Sequence, residues 1–132
     1  MEQSSSSDYP RALIVEDDPM VALWLQDHLH ELGFAACDLA KNGHQALSHA
    51  KSNRPNVALI DVNLEGGREG IELAQQLRED CHVPIVFVTG YTDPETVGCI
   101  RSRVPGAPLI PKPVWDERLS DAVASALAFR TS

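Results

Sequence analysis

The sequence predicts an α/β domain built on a doubly wound, five-stranded parallel sheet with helices on both faces. Two observations indicate this fold class. Short, continuously apolar runs alternate along the chain with segments whose apolar residues recur at helical spacing. The strongest runs contain no polar residue, which is typical of strands covered on both faces. Because strands that alternate with helices are joined by right-handed crossovers, we expect the strands to be parallel.

Five strands are predicted in chain order. Residues 12–15, 57–60 and 84–88 form strong apolar runs, and each strong run leads into a polar segment. Residues 35–40 and 109–110 form two weaker strands. Together they supply the alternating strand–helix pattern from which the parallel sheet is inferred.

Helices are predicted after each strand. The first begins at Asp18 and Pro19, an N-cap residue followed by proline at the first helical position, and ends at Gly33. The second follows the Asn42-Gly43 turn, and the third covers residues 71–77 after a loop that contains Gly66, Gly67 and Gly70. The fourth covers residues 93–103 and is expected to be interrupted by Gly98, and the last covers residues 116–129. The buried stripes of the first and last helices are predicted to be Val21, Leu25, Leu29 and Leu32, and Leu119, Val123, Ala126 and Leu127.

Length and charge exclude several classes of function. The chain has 132 residues, 43% of them hydrophobic, and a net charge of −8, which suits one domain that meets proteins or cations. We expect no nucleic-acid partner and no membrane partner, because nucleic acids and anionic membranes repel an acidic protein. In addition, no apolar run reaches the roughly 20 residues of a membrane span. Residues 1–10 are expected to form a disordered Ser-rich tail and residues 11–130 the folded domain. Three cysteines without ligand spacing indicate reduced thiols in a cytoplasmic protein: Cys37, Cys81 and Cys99.

Polar residues that suit phosphoryl chemistry follow four of the predicted strands. In a doubly wound sheet ligands lie beyond the carboxyl ends of the strands, so these residues are expected to converge. Crowded carboxylates favour a hard divalent cation such as Mg²⁺. Asp61 could then act as a nucleophile, while Thr89 donates a hydrogen bond to a phosphoryl oxygen and Lys112 pairs with another. The residues at this edge are Glu16, Asp17 and Asp18 after the first strand, Asp61 and Asn63 after the third, Thr89 after the fourth and Lys112 after the fifth.

These runs resemble the receiver domain of two-component response regulators over about residues 11–129. The resemblance is carried by the segments Val15-Glu16-Asp17-Asp18-Pro19, Leu59-Ile60-Asp61-Val62-Asn63, Val88-Thr89-Gly90 and Lys112-Pro113. It implies a flavodoxin-like fold and a phosphorelay switch, with a sensor histidine kinase or phosphotransfer protein as donor and an unknown downstream protein as target. It further implies the following roles: Asp61 as phosphoacceptor; Glu16, Asp17, Asp61 and the backbone carbonyl of Asn63 at Mg²⁺; Thr89 as switch hydroxyl; Lys112 as phosphate partner, with a cis Lys112-Pro113 bond; and Asp18 as helix cap only.

One position departs from the family pattern. Many receivers carry Tyr or Phe three residues before the lysine, and this chain has Leu109 there. Tyr91 follows Thr89-Gly90 and resembles a subgroup of receivers with a Phe-x-Thr-Gly-Tyr-like stretch. Two interpretations of Tyr91 stay open: it replaces the missing aromatic residue at the switch, or it lines the mouth of the site.

Two other functions compete with the phosphorelay switch. A receiver-like interaction module would work without phosphorylation, and Leu109 leaves that alternative open. A small phosphatase of the haloacid-dehalogenase type also uses a strand-end aspartate, but it needs a second acid two residues later, where this chain has Asn63. No DNA-binding segment follows Ser132, so we expect output through protein contact unless the chain is a fragment.

Overall fold

The apolar runs form the strands of one parallel sheet. The computed structural model describes residues 10–64, 69–90, 92–112 and 116–128. Its elements in chain order are β1 Arg11–Val15, α1 Pro19–Glu31, β2 Ala36–Ala40, α2 Gly43–Ser52, β3 Val57–Asp61, α3 Glu69–Cys81, β4 Ile85–Thr89, α4 Pro94–Arg103, β5 Leu109–Pro111 and α5 Asp116–Ala128.

The sheet has the strand order β2-β1-β3-β4-β5, and every pair of neighbouring strands is parallel. After β1 the chain adds β2 on one side of β1 and then crosses back to add β3 on the other side of β1. The strand order therefore reverses between β1 and β3. Val15 near the end of β1 is paired with Ile60 near the end of β3. The predicted doubly wound, flavodoxin-like fold is confirmed, and the reversal places the ends of β1 and β3 side by side.

Two apolar layers explain why the strands lack polar residues. Leu13 and Val15 face one layer with α2, α3 and α4, whereas Ala12 and Ile14 face the other with α1 and α5. Successive residues of β1 therefore enter opposite cores, and both must be apolar.

The residues predicted to begin and end the first helix do so. Asp18 is the N-cap of α1, and its side chain accepts a hydrogen bond of 3.0 Å from the backbone N–H of Met20. Gly33 follows the helix with φ +104°, a left-handed conformation that glycine adopts without strain. The three cysteines are free thiols in partly buried positions, as predicted.

Three details of the predicted helices are wrong. Helix α4 runs through Gly98 without interruption, because one exposed glycine weakens a helix without breaking it. Leu32 and Leu127 are exposed, at 40% and 43% of their surface, instead of lying on the buried stripes. Leu32 caps α1 after its last turn. Leu127 is rotated by about 100° from Ala126, which faces the core.

Several predictions fall at the limits of the described residues. Of the predicted tail, only Pro10 is described, and its carbonyl accepts a hydrogen bond from the N–H of Ala35. Tyr91, Pro113 and Phe129 lie outside the described residues. None of the helices in the described ranges is long and apolar enough to cross a membrane.

Candidate functional site

Three carboxylates meet where β1 and β3 end. Glu16 and Asp17 follow β1, and Asp61 is the last residue of β3. One carboxylate oxygen from each lies within 4.8 Å of the others. Glu16 and Asp61 are buried, whereas Asp17 is exposed at the rim. The strand ends thus bring together the acids that the sequence predicted to converge.

A lysine ammonium lies between two of these carboxylates. The backbone N–H of Lys112 donates to the carbonyl of Thr89 at 2.9 Å, which continues the β4–β5 pairing by one residue. From this position the Nζ of Lys112 lies 2.9 Å from Oε1 of Glu16 and 3.3 Å from Oδ2 of Asp61. Lys112 therefore compensates both the acid that follows β1, Glu16, and the acid that ends β3, Asp61.

The loops after β1 and β3 orient the second carboxylate oxygen of Glu16 and of Asp61. Oε2 of Glu16 accepts a hydrogen bond of 3.2 Å from the backbone N–H of Asp18. Oδ1 of Asp61 accepts one of 3.1 Å from the backbone N–H of Asn63. Each buried acid is oriented by the N–H group two residues further along the chain, so the orientation depends on loop conformation.

Burial and nearby charges shift the pKa values of Glu16 and of Lys112. Burial, together with the nearby charge of Asp61, raises the pKa of Glu16 to about 7, although contact with Lys112 opposes the change. Burial of the Lys112 ammonium would lower its pKa, but the contacts with Glu16 and Asp61 outweigh this effect and raise it. The buried carboxylate of Glu16 can therefore be compensated by a proton, by the Lys112 ammonium or by a metal cation.

The donor set fits a hard divalent cation. Glu16, Asp17 and Asp61 offer only oxygen ligands, the type that Mg²⁺ prefers. Oε1 of Glu16 is fully buried and has no hydrogen bond of good geometry within the described residues, although it faces the Lys112 charge. Lys112 already compensates this oxygen, so a metal cation that binds it would share it with the lysine or displace the lysine.

The Thr89 hydroxyl contacts the loop that follows β3. Thr89 ends β4 and is fully buried, and its Oγ1 donates to Oδ1 of Asn63 at 3.4 Å. The family resemblance assigns a role only to the backbone carbonyl of Asn63, so this side-chain contact was not predicted. Spacing along the chain could not show it, because the two residues lie on separate strand ends 26 positions apart.

Gly70 is a second residue whose place at the site the sequence did not indicate. It is the second residue of α3, and its N–H donates to the carbonyl of Val62 at 3.0 Å. A Cβ atom at this position would overlap the backbone of Asp61 and Val62. The glycine-rich sequence of the preceding loop was the available signal, but composition did not distinguish Gly70 from Gly66 or Gly67.

The proposed switch residues are only partly described. Leu109 begins β5, is half-buried and pairs in register with Phe87. Tyr91 and Pro113 lie outside the described residues. The roles expected for Tyr91 and for the Lys112-Pro113 bond therefore stay predictions.

The structure combines three acids and a lysine at the point where the strand order of a flavodoxin-like sheet reverses. This combination is the one that the sequence predicted for a receiver domain. The family model of the response regulator receiver domain matches residues 12–124. This chain therefore belongs to the response regulator receiver domain family.

Individual relatives agree with the family match. The chain is 31% identical over 121 residues to the phyllosphere-induced regulator PhyR of Methylorubrum extorquens, covering 91% of this chain and 44% of PhyR. The signal receiver domain of a modulated diguanylate cyclase from Desulfovibrio desulfuricans superposes with a TM-score of 0.81 at 34% identity, covering 91% of this chain and 94% of that one. The PhyR receiver domain of Erythrobacter litoralis gives 0.79 at 27% identity, covering 94% of both chains. The chain spans less than half the length of the curated relatives that it matches, 44% for PhyR and 41% for the DNA-binding response regulator MtrA of Mycolicibacterium smegmatis.

Proposed function

We propose that this chain is a phosphorylation-dependent signalling switch that accepts a phosphoryl group on Asp61. The observation that carries the proposal is the contact of 3.3 Å between Lys112 Nζ and Oδ2 of Asp61, beside two further acids. Asp61 is buried at a strand end where its carboxylate is already oriented by the N–H of Asn63. Such an arrangement suits a nucleophile, because positioning and charge compensation supply most of the catalysis in phosphoryl transfer.

The chemistry is an exchange of one bond to phosphorus for another. A carboxylate oxygen of Asp61 attacks the phosphorus of a phosphohistidine, the P–N bond breaks, and the imidazole leaves as an acyl phosphate forms. Lys112 would pair with a phosphoryl oxygen. Glu16, Asp17, Asp61 and the backbone carbonyl of Asn63 would hold Mg²⁺, which supplies positive charge for the phosphoryl oxygens. Hydrolysis of the acyl phosphate by water returns Asp61 and releases inorganic phosphate.

Thr89 would connect phosphorylation to a change of shape. Its hydroxyl donates to Asn63 in the unphosphorylated site and could instead donate to a phosphoryl oxygen on Asp61. Because the Lys112 N–H is bonded to the Thr89 carbonyl, a movement of Thr89 would reach β5. The surface formed by α4, β5 and α5 would then differ between the two states.

The partners follow from family membership and charge. A sensor histidine kinase or a phosphotransfer protein would supply the phosphoryl group, and the output would be a contact with a downstream protein. The acidic net charge of −8 favours protein contacts over nucleic acid. The chain would promote its own phosphorylation and dephosphorylation without turning over a separate substrate.

The proposal is tested with acetyl phosphate as a small donor. The protein is incubated with Mg²⁺ and acetyl phosphate, and its intact mass is measured beside Asp61→Asn and the control Asp27→Asn. Asp27 is an exposed acid on α1, so its variant makes the same chemical change away from the site. We expect wild type and Asp27→Asn to gain one phosphoryl group and Asp61→Asn to gain none.

Other outcomes would contradict the proposal. A phosphoryl group on Asp61→Asn would place the acceptor elsewhere. No gain in wild type, either with acetyl phosphate or with a panel of phosphorylated kinases, would favour the phosphorylation-independent interaction module. Sustained turnover of p-nitrophenyl phosphate would favour the phosphatase.

A further inference from the structure

We infer that Gly70 is a positioning residue that fixes the backbone of Asp61 and Val62 by packing directly against it. The inference rests on the proposed function of Asp61 and deepens it. Gly70 touches neither the phosphoryl group nor the metal in this interpretation. It acts through the peptide groups of Asp61 and Val62, on which the first turn of α3 rests.

The contact is one that only glycine can make. A Cβ atom on Gly70 would overlap the carbonyl oxygen of Asp61 and lie 2.8 Å from both Cα and the carbonyl oxygen of Val62. All three are backbone atoms, so no side chain can rotate away to make room. The N–H of Gly70 also donates to the Val62 carbonyl at 3.0 Å, which ties the helix to the same peptide.

Two other helical glycines show that this closeness is specific to Gly70. A Cβ on Gly43 would make an ordinary contact of 3.8 Å with the side chain of Leu73, and a Cβ on Gly98 would meet nothing within 4 Å. Gly70 also has no left-handed φ angle, since the described glycines with positive φ are Gly33 and Gly106. Its need for glycine therefore arises from the approach of α3 to the end of β3.

The backbone that Gly70 contacts carries the Asp61 carboxylate and leads directly to Asn63. The Asp61 side chain branches from this segment of backbone, and its carboxylate accepts a hydrogen bond from the N–H of Asn63. The backbone carbonyl of Asn63 is the expected Mg²⁺ ligand. A Cβ on Gly70 would have to separate α3 from Val62 by more than half an ångström to reach ordinary contact distance. We expect this displacement to move Asp61 and Asn63 relative to Glu16 and Lys112, and an error of about 1 Å in a reacting group can cost roughly 100-fold in rate.

The test compares Gly70→Ala with Gly98→Ala. Both variants add one methyl group to a glycine inside a helix, but only the first adds it against the site. For each protein, Mg²⁺ is titrated while backbone amide shifts are followed by NMR, the initial rate of phosphorylation by acetyl phosphate is measured across Mg²⁺ concentrations, and thermal unfolding is recorded. We expect Gly70→Ala to need about tenfold more Mg²⁺ for half-saturation and to react about tenfold more slowly at saturating Mg²⁺. Gly98→Ala should stay within twofold of wild type in both quantities.

The outcomes separate a positioning role from a purely structural one. If Gly70→Ala unfolds at a lower temperature but keeps the Mg²⁺ half-saturation and rate of wild type, Gly70 serves only the packing of α3 and the inference is overturned. If wild type itself gains no phosphoryl group, the proposed function fails, while the Mg²⁺ titration still decides whether Gly70 positions the site.

A second measurement covers the case in which Gly70→Ala does not fold. The amide resonance of Gly70 in wild type reports on its hydrogen bond to Val62. We expect this resonance to shift on addition of Mg²⁺ and again on phosphorylation, by several times the change seen for Gly98. An amide of Gly70 that moves no more than that of Gly98 overturns the inference.

Discussion

Among the described residues, the Lys112 ammonium lies closer to Glu16, at 2.9 Å, than to Asp61, the proposed phosphoacceptor, at 3.3 Å. The lysine expected to pair with a phosphoryl oxygen is therefore held nearer to Glu16, an expected Mg²⁺ ligand, than to Asp61. Because Glu16 is buried, its negative charge needs compensation, and Lys112 provides it. Mg²⁺ and Lys112 are thus expected to compete for the same carboxylate.

Removal of Lys112 should strengthen Mg²⁺ binding while slowing phosphorylation. In Lys112→Ala the carboxylates of Glu16 and Asp61 lose their internal cation, so we expect the Mg²⁺ dissociation constant to fall by about 3- to 10-fold, or roughly 0.7–1.4 kcal/mol. The rate with acetyl phosphate should fall because no ammonium meets the phosphoryl oxygens. Isothermal titration calorimetry and intact mass measure the two quantities, with Lys51→Ala on the exposed face of α2 as control. A weaker affinity for Mg²⁺ in Lys112→Ala than in wild type would show that the lysine supports the metal site.

The affinity for Mg²⁺ should depend on pH through Glu16. The folded protein without metal has a Glu16 pKa of about 7, so the carboxyl is largely protonated below that pH and must release a proton to bind the ion. We expect the apparent affinity to rise with pH by up to about tenfold per unit below pH 7 and to level off above it. Titrations at several values between pH 5.5 and pH 8.5 measure this slope. Glu16→Gln, which cannot ionise, should bind more weakly and lose most of the slope, and an equal slope in that variant would assign the proton to another group.

The hydroxyl of Thr89 should transmit phosphorylation without being required for it. In Thr89→Val the side chain keeps its size but loses the donor that contacts Asn63, whereas Thr89→Ser retains the donor. We expect both variants to gain a phosphoryl group. The amide shifts that phosphorylation causes in α4 and β5 should shrink to less than half of the wild-type size in Thr89→Val and persist in Thr89→Ser. Shifts of wild-type size in Thr89→Val would exclude the hydroxyl as the link.

The side chain of Asp18 should matter for stability but not for the site. It caps α1 by accepting the N–H of Met20, whereas the contact of Asp18 with Glu16 uses the backbone N–H. Asp18→Ala should lower the free energy of unfolding by about 1 kcal/mol, and Asp18→Asn should lower it by less, because asparagine also caps helices. Urea denaturation measures both changes. Mg²⁺ affinity should stay within about twofold of wild type in Asp18→Ala, and a larger loss would make Asp18 a member of the metal site.

Most of the fold and the identity of the acidic residues could be predicted from the sequence. The runs at residues 12–15 and 57–60 predict buried parallel strands because both of their faces must be apolar, and the two layers around β1 confirm this. Parallel strands end at one edge of the sheet, so the order of the chain was enough to bring Glu16, Asp17 and Asp61 together.

Helix ends and flanks were predicted less well. Leu32 and Leu127 belong to apolar patterns but are exposed. A periodic pattern indicates which side of a helix is apolar, but where the sheet stops covering that side depends on packing.

By itself, the sequence determined the parallel sheet, the edge at which the site lies and the acids that form it, because apolar patterning and strand order are properties of the chain. Only the tertiary structure decided that Lys112 lies closer to Glu16 than to Asp61, that the Asn63 side chain meets Thr89, and that α3 rests on the backbone of Val62 through Gly70. These contacts join residues that are far apart along the chain, or depend on differences of less than an ångström between backbones. The physical reason is that distances of this kind are set by the packing of helices against strands, which no spacing along the sequence encodes.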